Sequence, residues 1–262
     1  MPCSHSRRKR PVRHALAGLS LALAVGACAQ APGTGRQQLI LLPESQDAQM
    51  GLQAYQQIKE ESRVSRDSEL NRRLQGVGRR IAAVSPHPEW DWEFTLFEND
   101  EPNAFALPGG KVGVHTGLFR VAENDAQLAA VIGHEVAHAI ARHGAERMSQ
   151  GLLAQGLGAV AIGTGVNPQV VDLAAQAATL GVILPYSRTQ EAEADHIGLL
   201  YMAQAGYDPR EAINLWQNFN AFGGDRPPEF LSTHPAPGTR IDRLEELMPE
   251  ALEVYERSRR QQ

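Results

Sequence analysis

Val131-Ile-Gly-His-Glu-Val-Ala-His-Ala-Ile-Ala-Arg-His143 decides how the rest of the chain is read. It sits in a run from Asp125 to Ser149 that predicts one uninterrupted helix. Leu128, Val131, Ile132 and Ile140 recur at intervals of three and four, and no proline breaks the run. Asp125 is a candidate N-cap. His134 and His138 are one turn apart on the same face, so both imidazoles reach one small ion. Glu135 lies about 100° around the helix, where its carboxylate touches a water beside that ion without ligating the ion. Nitrogen ligands, an open position for water and an adjacent general base are what metal-assisted hydrolysis needs. Val131, Ile132, Val136, Ala137 and Ala139 surround the histidines with apolar side chains, so burial is expected, and unpaired imidazoles there would be costly.

A catalytic zinc site takes three protein ligands plus water, so a third ligand is needed. His143 follows His138 by five residues, about 140° around a continuous helix, and is expected to face away. Ala141 and Gly144 stand where the metzincin pattern has Gly and His. Ser187-Arg-Thr-Gln-Glu-Ala-Glu-Ala-Asp-His-Ile-Gly198 offers a carboxylate instead. Glu191 and Asp195 are four apart and share a helix face. Glu191 is placed to ligate, and Asp195 to hydrogen-bond the outer nitrogen of a ligating histidine or to assist proton transfer. Glu193, about 200° from Glu191, points elsewhere. By itself, such an acidic helix reads more often as a solvated face.

Taken together, His134-Glu-x-x-His138 and Ser187-Arg-x-x-Glu191-x-Glu-Ala-Asp195-x-x-Gly198 resemble the zinc metallopeptidase family of the CAAX prenyl endopeptidase, HtpX and the BepA-type periplasmic proteases. Thr34-Gly-Arg-Gln-Gln-Leu39, Pro102-Asn-Ala-Phe105 and Ser232-Thr-His-Pro235 resemble its lipoprotein branch. The resemblance implies a zincin-like α+β fold, mostly helical, with a small β-sheet. It implies one Zn2+ per chain on His134, His138 and Glu191, with Glu135 as base and Asp195 as an acid beside the ligands. It implies endoproteolysis of misfolded or unassembled envelope proteins, a quality-control role. The alternative is a non-proteolytic chaperone or scaffold that holds the same clients in the same cleft. Unlike HtpX, the chain lacks convincing transmembrane helices, and it is expected to end without the helical-repeat extension of some relatives.

Met1 to Ala27 reads as a signal peptide. Arg7, Arg8, Lys9, Arg10 and Arg13 precede an apolar run of 13 residues, Ala15 to Ala27, too short to span a membrane. Val25-Gly-Ala-Cys28 resembles a lipobox, in which Cys28 becomes the lipidated first residue. An ordinary secretory signal with an incidental Cys28 is the other reading. The lipoprotein reading divides the chain into a signal (1–27), a lipidated tether (28–43) and a metallopeptidase domain (44–262). With Ala29 after the cysteine, analogy with Gram-negative sorting predicts the periplasmic face of the bacterial outer membrane, or a soluble periplasmic protein without the lipid. Without residues 1–27 the chain has 20 basic against 30 acidic residues, net −10, which argues against nucleic acid as a partner. With only Cys3 and Cys28 in the sequence, no disulfide is expected in the domain.

Residues 44–84 predict two helices, with Ser45 a possible N-cap and a break near 63–65. Trp90 to Phe97 alternates as a half-buried strand, and Asn103 to Phe119 reads as two strands joined at Pro108-Gly109-Gly110. These strands read either as plain core or as an edge on which an extended peptide docks. Gly151 to Gly165 is expected in the core, followed by a helix over Pro168 to Leu184. A helix from Asp208, a Gly/Pro-rich loop over Gly223 to Pro237 and a last helix over Pro237 to Met248 close the chain. His234 on that loop orders it, contacts the metal at rest, or stabilises an oxyanion, the first being the commonest job for such a residue. Arg240 is a second oxyanion candidate, since a fixed guanidinium suits developing negative charge.

Overall fold

A computed structural model describes residues 28–154, 187–222, 229–234 and 239–261. The expected signal segment, most of Gly151 to Gly165 and the helix over Pro168 to Leu184 lie outside these residues. In chain order the elements are β1 (Cys28–Gln30), β2 (Gln37–Leu39), α1 (Glu44–Glu61), α2 (Ser68–Val84), β3 (Glu93–Phe97), β4 (Ala104–Leu107) and β5 (Lys111–His115). There follow α3 (Asp125–Ile140), α4 (His143–Ala154), α5 (Arg188–Gln204), α6 (Glu211–Phe222), α7 (Glu229–Thr233) and α8 (Arg240–Arg259). The fold is α+β, mostly helical with small sheets.

α3 is the axis of the core. Every residue from Gln127 to Ile140 is buried, as expected of a helix that is apolar nearly all round. Its start is fixed by Asn124, whose side chain accepts from the Gln127 N–H at 2.9 Å. Asp125, the expected cap, sits inside the first turn and pairs with Arg73 Nε at 2.7 Å. Nor does Ser45 cap α1, which begins at Glu44 directly after Pro43. The break at 63–65 is present, and Asp67 caps α2 by accepting from the Glu69 and Leu70 N–H groups.

The expected single helix to Ser149 is two helices. Arg142 takes a left-handed conformation, φ 54°, which costs a non-glycine residue about 1–2 kcal/mol. Tertiary partners offset this: Arg142 Nε donates to Asp47 Oδ2 at 3.1 Å, and a terminal nitrogen donates to the Leu42 carbonyl at 2.8 Å. α4 begins at His143, directly after this kink.

β3, β5 and β4 form a sheet in that order, β3 parallel and β4 antiparallel to β5. β4 is therefore an edge strand, and the Pro108–Gly110 turn works as expected, with Gly109 and Gly110 both at positive φ. In place of a free tether, residues 28–39 fold into an antiparallel hairpin. Ala31, Ile40 and Leu42 are buried against the domain, and the Leu41 N–H donates to Ser149 Oγ at 2.9 Å. The short apolar run at 39–42 thus anchors this segment.

α5 crosses α3 with almost no gap. A Cβ placed on Gly198 would lie 2.7 Å from the His134 nitrogen, and one on Gly133 would lie 2.7 Å from the Gly198 carbonyl oxygen. This approach sets the acidic face of α5 over the two histidines.

Candidate metal centre

His134 and His138 point their Nε2 atoms at each other across 3.1 Å. Glu191 reaches them from α5, with its oxygens 3.5 Å from His134 Nε2 and 3.3 Å from His138 Nε2. The capping box at the start of α5, Ser187 with Gln190, fixes the turn from which Glu191 projects. His234 follows α7 and places Nδ1 3.2 Å from both His134 Nε2 and a Glu191 oxygen. All four residues are buried. Their lone-pair atoms lie within 4.8 Å of one another, a group able to hold a metal ion.

The spacing fits zinc. Donors at about 2.0–2.1 Å from a tetrahedral ion lie about 3.3 Å from one another, and five of the six pairs here are 3.1 to 3.5 Å apart. The carboxylates bias the group towards positive charge. Burial pushes the His138 imidazole well below its ordinary value, which favours the neutral, ligating form. Burial opposes charge on His134 too, but Asp195 and Glu191 outweigh it and hold that imidazole up at about 9. For Glu191, hydrogen bonds from the histidines overcome burial and keep the carboxylate ionised. The centre is built to receive positive charge.

Asp195 and Arg240 are tied to this group. His134 Nδ1 lies 3.0 Å from Asp195 Oδ1, the outer-nitrogen contact expected for that carboxylate. Arg240 donates to Asp195 Oδ2 at 2.7 Å and to Glu191 at 2.5 Å, and it stacks over Trp216 at 3.9 Å. It thus sits behind the carboxylates, where it neutralises them, and this is not the open-facing position of an oxyanion donor. Glu135 is buried, which pushes its carboxyl up. Among the described residues no group donates a hydrogen bond to its Oε1, and His234 Nε2 lies 3.4 Å from that atom.

His143 departs from expectation. Because the helix kinks at Arg142, His143 swings inward and sets Nδ1 2.8 Å from His138 Nδ1 and Nε2 2.9 Å from Glu193 Oε2. Glu193 does point away from the metal group, but into a buried cluster and not into solvent. Burial works against its charge, yet hydrogen bonds from His143, Thr34 and Arg36 bring the carboxyl down to about 2. His143, Glu193 and Arg36 were missed as site residues. Their sequence signals are indirect: the Thr34-Gly-Arg36 stretch for Arg36, and Gly144, two residues past the kink, for His143.

A cleft of about 770 Å³ opens beside the group, lined by Phe105, Leu107, Glu135, His138, Met148 and His234 among others. Edge strand β4 forms one of its walls. Residues 68–248 match the family described as Peptidase family M48. The chain belongs to peptidase family M48. It is 40% identical over 181 residues to the mitochondrial metalloendopeptidase OMA1 of Schizosaccharomyces pombe, covering 67% of this chain and 52% of that protein. With the Arabidopsis thaliana protein of the same name the identity is 43% over 178 residues, 66% of this chain and 36% of that one. The β-barrel assembly-enhancing protease of Escherichia coli K12 is 32% identical over 206 residues, 75% and 42% of the two chains. The chain therefore spans about half or less of the length of these relatives. They also correct the expected location at the bacterial outer membrane, since the relatives of higher identity are mitochondrial. Among the described residues, no helix of this M48 chain is long and apolar enough to cross a membrane.

Removal of zinc from such a site leaves four buried donors facing one another. Zinc at a thousandfold over its Kd adds about 4 kcal/mol, or about 10 °C in Tm for a domain of this size. Calorimetry with and without a chelator is expected to show that drop; superimposable melts would count against the zinc assignment.

Proposed function

We propose that the chain is a zinc-dependent endopeptidase acting on misfolded or unassembled proteins, including those of the cell envelope, in a quality-control role. The observation that supports it most is the convergence of His134, His138, Glu191 and His234, of which His138 and His234 line, with Glu135, a cleft walled by an edge strand. In this reading His134, His138 and Glu191 hold the zinc. When bound, the zinc supplies Lewis acidity towards a scissile carbonyl and lowers the pKa of water towards about 7.

Glu135 takes a proton from the attacking water and delivers it to the leaving amine. Its raised pKa suits it to hold that proton between the two steps. Asp195 holds the Nδ1 proton of His134 and so fixes the ring with Nε2 towards the centre. Arg240 helps keep Asp195 ionised. β4 is an edge strand along the cleft, onto which an extended substrate segment adds as a further strand. That mode of binding suits unfolded chains, whose backbone is free to pair. The name of the Escherichia coli relative ties that protein to β-barrel assembly, which supports envelope clients here.

His234 fills the fourth corner of the group, the place that water and substrate need. Its displacement therefore has to precede cleavage. His234→Ala is expected to retain zinc and raise the basal rate of casein cleavage several-fold; a fall in rate would assign His234 to the oxyanion instead. The proposed function itself is tested by incubating the chain with a folded protein and its reduced, unfolded form. Selective cleavage of the unfolded form supports it, and no cleavage of either with zinc bound would favour a holding role.

A further inference from the structure

Thr34-Gly-Arg36 has no part in the mechanism above and lies ahead of the matched segment 68–248. Yet it is connected to the metal centre by an unbroken line of close contacts. His138 directs Nε2 at the other donors, so as a neutral ligand it keeps its proton on Nδ1. That nitrogen lies 2.8 Å from His143 Nδ1, which must then accept. The His143 proton is left on Nε2, 2.9 Å from Glu193 Oε2. An ionised carboxylate can only accept, so Glu193 fixes the direction of the whole line.

Two side chains of the hairpin turn hold Glu193. Thr34 Oγ1 donates to its Oε1, and Arg36 Nε donates to its Oε2 at 2.8 Å. The fork of Arg36 is itself fixed, with its two terminal nitrogens on Glu146 at 2.8 and 2.7 Å. Glu146 also accepts from Gln190 Nε2 at 2.9 Å, next to the ligand Glu191. Gly33 and Gly35, at φ 87° and 70°, make the tight turn that brings both side chains to this point. Without Arg36, Glu193 and Glu146 lose the fork that spans both and fixes their positions.

We propose that Thr34 and Arg36 are positioning residues for the metal centre, acting through Glu193 and His143 on the tautomer and orientation of His138. The hairpin is thus a working part of the site. A lysine at 36 is a poor substitute, because one ammonium cannot serve Glu193 and Glu146 in the same geometry.

The inference rests on the zinc reading of the centre, and the experiment separates the two. Zinc release into excess chelator is timed for the wild-type chain, Arg36→Ala, Glu193→Gln and the double variant. Ser149→Ala serves as a control, since it removes a hairpin anchor without touching Glu193. Arg36→Ala and Glu193→Gln are each expected to weaken zinc retention by about 10–100-fold. The double variant is expected to be no worse than the worse single one, and Ser149→Ala to release zinc at the wild-type rate. Release unchanged in Arg36→Ala, equal changes in Arg36→Ala and Ser149→Ala, or effects that multiply in the double variant would overturn the proposal. If Arg36→Ala does not fold, by far-ultraviolet circular dichroism, Thr34→Val takes its place, and wild-type release from it would be equally fatal. A wild-type chain that binds no zinc at all would overturn the reading of the centre as well.

Discussion

Glu135→Gln is expected to lower kcat for peptide-bond hydrolysis by about 10²–10⁴-fold, the usual contribution of a positioned general base, while leaving zinc content at the wild-type level. The amide keeps the shape of the side chain but cannot accept the proton. Glu135 stands outside the four-residue metal group, so ligation is not disturbed. Its Oε1 receives no hydrogen bond from the described residues, which leaves that atom to the water it activates. Steady-state cleavage of an unfolded protein, with metal analysis on the same sample, checks both halves of the prediction. Undiminished cleavage would remove Glu135 from the mechanism, and lost zinc would make it structural.

Gly198→Ala is expected to do comparable damage from outside the chemistry. Its Cβ would meet the backbone at His134 N, 2.7 Å, and Gly133 C, 2.8 Å, and backbone in the middle of two packed helices cannot swing aside. Overpacking of this kind costs about 1–3 kcal/mol. The larger effect is on geometry. Gly198 lies three residues after Asp195 and seven after Glu191, on the same face of α5, so pushing the helices apart draws both carboxylates off the histidines. A displacement near 1 Å is enough to cost about 10²-fold in rate. Zinc affinity, Tm and kcat should fall together in Gly198→Ala. A variant with wild-type affinity and melting would mean that the helices tolerate a wider crossing than their contacts imply.

How far the sequence could be read depended on whether each feature was local. The spacing of His134 and His138, and of Glu191 and Asp195, fixes shared faces on any helix, and the structure brings those four residues together. The Pro108-Gly109-Gly110 turn is likewise a local signal, and β4 and β5 pair across it. The kink is not legible at Arg142 itself, because the residue in the left-handed conformation is neither glycine nor asparagine. It exists because Asp47 and the Leu42 carbonyl, both distant in sequence, hold the guanidinium. His143 goes with it, since a 140° offset from His138 holds only on a continuous helix, and α3 ends at Ile140. Arg240 was read as facing the reaction because its partners, Asp195 and Glu191, come from a helix some 45 residues earlier. The packing of the hairpin is hidden in sequence for a related reason. Its prolines and glycines are visible in sequence, whereas the buried acceptors for Arg36 are assembled only by the fold.

The central claim is that a zinc ion on this buried group powers peptide hydrolysis. It is tested most directly by stripping the metal with a chelator and titrating zinc back while following cleavage of unfolded casein. Activity that is absent from the stripped protein, returns in proportion to zinc and levels off at one equivalent per chain is the predicted result. Full activity in the metal-free protein, or none at saturating zinc in both the wild type and His234→Ala, would contradict it.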